Sequence, residues 1–79
     1  MKKMKAGTLV RLSSYGKDRD YNWSLQRVIG KGPIQEIEPL GIIIKTFPRM
    51  DGYRVRWINT QVPNKEERHH RRELKYVKR

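Results

Sequence analysis

Apolar and polar positions alternate most regularly at Tyr53, Val55 and Trp57, interleaved with Arg54, Arg56 and Ile58. A period of two is that of a strand with one buried face. Just upstream, Leu40 to Phe47 is a nearly continuous apolar run opened by Gly41 and closed by Pro48, the pattern of a buried strand. The turn chemistry of Pro48 to Gly52 joins the two into a hairpin, with Asp51 and Gly52 suited to left-handed backbone. Thr8 to Leu12 reads as a first strand between Gly7 and Ser13. Trp23 to Ile29 reads as another, with Trp23, Leu25 and Arg27 on one face, ended by Gly30 to Pro33.

The remaining segments lack such periods. Tyr15 to Asn22 mixes Gly, Asp, Asn, Lys and Arg and reads as a loop or an exposed hairpin arm. Ile34 to Glu38 is the acidic patch, and Pro39 stops any helix there. Gln61 to Asn64 is a loop. Asn64 and Glu67 have capping-box spacing, which predicts a short helix from Lys65 to about Glu73. Such a helix has almost no apolar stripe, so the alternative is a single turn leading into a last strand, Lys75 to Val77. The expectation is one all-β domain over residues 1–79, a strongly bent sheet of about five strands with an irregular segment at Tyr15 to Pro39.

Composition narrows the chemistry. At 79 residues without cysteine, the chain has room for one small core and no disulfide framework. Its longest apolar run, Ile42 to Ile44, is far short of the ~18 to 20 residues that span a bilayer. Met1 to Lys5 has the charge of a signal n-region, but no apolar stretch with a cleavage site follows, so a cytoplasmic location is expected. Catalysis is hard to assemble. Ser13, Ser14 and Ser24 are distant in sequence from His69 and His70, Gly30-Lys31-Gly32 lacks the spacing of a P-loop, and adjacent histidines diverge too far to share one metal. No metal and no cofactor is expected, and His69 and His70 read as exposed members of a basic run.

Charge is the informative feature. Lys and Arg exceed Asp and Glu by 11, distributed as +6 over Met1–Lys31, −2 over Gly32–Ile44, +3 over Lys45–Pro63 and +4 over Asn64–Arg79. That exceeds the ~2 to 8 useful for solubility in a small domain and points to a polyanion, RNA or DNA, held by its phosphates. The candidate contacts are Arg54 and Arg56 on the outer face of one strand, and Arg68, Arg71 and Arg72 in the densest run. Lys17, Arg19 and Tyr21 form a second contact in which a ring stacks on unpaired bases. Arg11 and Lys45 extend the Arg54 face if their strands adjoin it. The competing expectation is that Arg54 and Arg56 pair with Glu36, Glu38 or Glu73. Tyr53 and Trp57 are assigned to the core, and Trp23 is equally suited to core or platform.

Four blocks, Gly7–Leu12, Leu40–Lys45, Tyr53–Trp57 and Arg71–Val77, resemble the SH3-like barrels, and among them the KOW-type and small phage-encoded barrel proteins. The resemblance covers about a third of the chain. It implies a basic strand, a Gly-led apolar strand, an aromatic-basic strand, one helical turn and a short last strand. It is shared by photosynthetic electron-transfer subunits and by transcription and translation accessory domains, so it also implies an adaptor for an acidic host protein as the alternative partner. Neither expectation involves a membrane or a small-molecule substrate.

Overall fold

The computed structural model describes residues 4–77; the basic start at residues 1–3, with its n-region charge, lies outside the described residues. Among the described residues seven strands are present: β1 (Leu9–Leu12), β2 (Arg27–Val28), β3 (Gln35–Glu36), β4 (Leu40–Phe47), β5 (Gly52–Trp57), β6 (Lys65–His70) and β7 (Leu74–Tyr76). Five form one antiparallel sheet in the order β6-β5-β4-β1-β7, and β2 with β3 makes a separate short hairpin. The mostly β architecture expected from the alternation is therefore present. No helix among the described residues is long and apolar enough to cross a membrane.

The sheet is curled by its own connections. Laid flat, its two edge strands β6 and β7 would stand about 19 Å apart, four strand spacings. They are joined by a single 3-10 turn, Arg71–Glu73, which reaches only about 6 Å. The edges must converge at that corner. A one-residue bulge at Ile44 helps bend β4: Ile43 pairs with Val55 and Lys45 with Arg54, leaving Ile44 as the extra residue.

The inner face carries Val10, Leu12, Ile43, Tyr53, Val55, Trp57 and Leu74, joined by Met4 and Leu25 from outside the sheet. Tyr53 and Trp57 are core residues, as expected. Gly41 is required by the closeness of this packing. A Cβ there would lie 2.8 Å from Trp57 Cε3 and would also press on Val55. Gly41→Ala is thus expected to destabilise the fold by about 1–3 kcal/mol through overpacking, read as a lower urea midpoint with an unchanged slope.

Several expectations are corrected. Trp23 to Ile29 is not a strand: Ser24–Gln26 is a 3-10 turn, and only Arg27–Val28 is extended. Trp23 is 46% exposed with the Arg27 guanidinium over its ring, and Leu25 alone of that segment enters the core. Lys65 to His70 is not a helix but edge strand β6, and Asn64 adopts a left-handed turn conformation before it instead of capping. The capping box belongs to His70 and Glu73, one turn long. In the β4–β5 turn Asp51 alone is left-handed, and Gly52 already belongs to β5. The irregular segment contains one α-helical turn, α1 (Ser14–Lys17), capped by the Ser13 hydroxyl, which accepts from Gly16 N–H, and two 3-10 turns, Asp20–Asn22 and Ser24–Gln26.

Candidate nucleic-acid interface

Strand register assembles a row of like charges. Arg54 on β5 lies directly opposite Lys45 on β4 and Arg68 on β6. All three are exposed, on the face opposite the core residues Tyr53 and Val55. Directly opposed like charges destabilise a sheet, so the row is maintained against local electrostatics. One register step away, Arg56 opposes Glu66. Glu66 takes Arg56 at 3.0 Å and Arg54 at 3.8 Å, so one carboxylate serves both arginines. The glutamates expected there, Glu36, Glu38 and Glu73, make no such pair among the described residues. On this face four cations, Lys45, Arg54, Arg56 and Arg68, face that single carboxylate, and the pairs are exposed enough to be worth little individually.

Phe47 flanks the row, one register step toward the β4–β5 turn. Its ring lies under both Lys45 and Arg68, with cation–centroid distances of 5.4 and 4.8 Å. Arg68 also contacts the Met50 sulfur, and Met50 is 55% exposed. Phe47 lines a cavity of about 290 Å³ between the N-terminal segment and the β4–β5 turn.

The other predicted contacts lie elsewhere. The run from Arg68 to Arg72 does not form one patch, because Arg68 is on the outer face of β6 whereas Arg71 and Arg72 occupy the corner turn. There Arg72 and Arg19 both lie over the Tyr15 ring, at 5.2 and 4.5 Å, and Arg71 lies over Tyr76 at 5.6 Å. This is a second basic and aromatic cluster. Lys17 is not part of it; it pairs with Glu38, as does Arg11, which lies on the outer side of β1 but is already partnered by that carboxylate. Tyr21 is 61% exposed, yet lost hydration at its phenol and the neighbouring Glu73 carboxylate push its pKa up.

Behind the corner lies a buried polar chain that sequence reading missed. His69 is 2% exposed, not a member of an exposed basic run. Trp57 Nε1–H donates to its Nε2 at 3.0 Å, which assigns the ring proton to Nδ1, 2.9 Å from Glu73 Oε1. Glu73, 1% exposed, also accepts from Asn22 Nδ2 and the His70 backbone N–H. Desolvation works against its charge, but hydrogen bonds from His69, His70 and Asn22 prevail and hold its carboxyl below the ordinary glutamate value. The chain is buried and its members are linked by hydrogen bonds, with only Asn22 Oδ1 left without a partner among them, an arrangement suited to fixing the corner. Among the described residues no group of three or more His, Asp or Glu is placed to hold a metal ion.

No protein-family model matches the chain, and no curated protein or solved structure matches it either.

Proposed function

We propose that this protein is a non-catalytic binder of nucleic acid, RNA or DNA, that grips the phosphate backbone with the outer face of β4, β5 and β6. Lys45, Arg54 and Arg68 make the primary contacts, with Arg56 beside them. Arg19 and Arg72 around Tyr15, with Arg71 over Tyr76, provide a second site. The observation that carries this reading is the cross-strand row of three cations, an arrangement unfavourable in isolation and relieved by a polyanion. Guanidinium groups fork onto phosphate oxygens and release condensed counterions, so binding has little sequence preference and strong salt dependence.

The strand order and the single turn before the last strand support the resemblance to SH3-like and KOW-type barrels. We place the protein in the cytoplasm, that of the host if it is phage-encoded, as a regulator of transcription or translation. A second reading, an adaptor on an acidic host protein, is favoured by one feature: the β2–β3 hairpin exposes Ile29 and Ile34, at 46% and 52%.

A salt titration separates the two. Under the first reading generic nucleic acid binds at micromolar affinity or better near physiological salt, and log K falls against log salt with a slope of about −2 to −4 for three or four phosphates. Weak, slope-free binding, with one protein retained from nuclease-treated host lysate, would favour the adaptor.

A further inference from the structure

We propose that the cavity beside Phe47 receives one unpaired nucleobase, which makes the ligand of the basic face a single strand. The inference rests on the phosphate-binding reading above and specifies its substrate. Met4, Ala6, Phe47, Pro48 and Tyr53 give the cavity an apolar wall, and its volume of about 290 Å³ suits a flat ring system rather than a larger ligand. Its charged lining consists of Lys5 and Asp51. These two charges offset one another, so the cavity offers a phosphate no net attraction, while the Asp51 carboxylate accepts a hydrogen bond from a base amino group; a base rather than the backbone is the group that enters.

The location connects this cavity to the cationic row. Phe47 both lines the cavity and lies under Lys45 and Arg68. A nucleotide whose base enters beside the ring therefore presents its phosphates to Lys45 and Arg68, with Arg54 between them across the strands. Bases in a duplex are stacked and paired, and entering the cavity would require extruding one at a cost of a few kcal/mol. Single strands carry no such cost, and stacking on an aromatic ring adds affinity without demanding a particular base.

The test compares an intact single-stranded oligonucleotide, an abasic strand of the same length and a duplex, titrated into wild type and Phe47→Leu. Leucine keeps an apolar residue on the wall, and a urea melt checks that the variant is folded. The expected result is about tenfold tighter binding of the intact strand than of the abasic strand by wild type, with duplex also weaker. Phe47→Leu is expected to remove that difference by weakening the intact strand alone. Equal binding of intact and abasic strands with the same salt slope would overturn the cavity assignment and leave phosphate binding standing. Equal weakening of both strands by Phe47→Leu would also overturn it, because the ring would then act only by positioning Lys45 and Arg68. Failure of every nucleic acid to bind would overturn both readings.

Discussion

Glu73→Ala is expected to destabilise the protein by about 3–5 kcal/mol, because removing the carboxylate leaves several buried donors without an acceptor at about 1–3 kcal/mol each. At roughly 0.05–0.15 kcal/mol per residue, a chain of this size has about 4–12 kcal/mol in all, so this variant should be largely unfolded at modest urea. The truncation strands three donors at once: His69 Nδ1–H, Asn22 Nδ2–H and the His70 backbone N–H. Loss reaches the core through His69, whose other nitrogen accepts from Trp57. Glu73→Gln is milder. It keeps the shape, but one carboxylate oxygen becomes an amide that cannot accept, at about 1–3 kcal/mol.

The same pair of proteins tests the charge. Because the folded carboxyl titrates below its ordinary value, its contribution is fully present above the unfolded-state pKa and is lost as pH falls through the folded one. Wild type should therefore exceed Glu73→Gln in urea midpoint at neutral pH, and the gap should close below the ordinary carboxylate range. A gap independent of pH, or a Glu73→Ala cost under about 1 kcal/mol, would show that the chain Trp57–His69–Glu73–Asn22 does not hold the corner.

The second large effect separates binding from stability. Replacing Arg54 and Arg68 together by Gln should weaken nucleic-acid binding at least about tenfold and reduce the magnitude of the salt slope by about two. The melting temperature should stay close to that of wild type, since the double variant removes repulsion along the row Lys45–Arg54–Arg68 at the expense of one exposed pair with Glu66 and the contact of Arg68 with Phe47. Calorimetry beside a fluorescence-anisotropy salt series measures both. An unchanged slope would make the row a bystander.

Strands β1, β4 and β5 were legible because their inward positions are aliphatic or aromatic. β6 was not. Its inward side presents Glu67 and His69, and His69 becomes a core residue only through partners on β5 and the corner turn, which no local pattern reveals. Trp23 and Leu25 misled for the opposite reason: their composition is strand-like, but only Leu25 finds a place in the core. Arg54, Arg56 and Arg68 were selectable by charge, yet their relation to Lys45 required the register between three strands. Glu66 was overlooked as their partner because the neighbour of β5 on that side is β6, not the strand bearing Glu36.

The hydrogen-bonded pairing of β1 with β7 brings Leu12 beside Leu74, joining the first and last strands of the sheet in sequence order. During synthesis on a ribosome, β1 therefore waits with one side uncovered until every other strand of its sheet has emerged. Long-range closure of this kind slows folding relative to a helical protein of equal length. It also means that reporters placed ahead of β1 and behind β7 would start from adjacent strands, a built-in proximity gauge for whether β7 has docked.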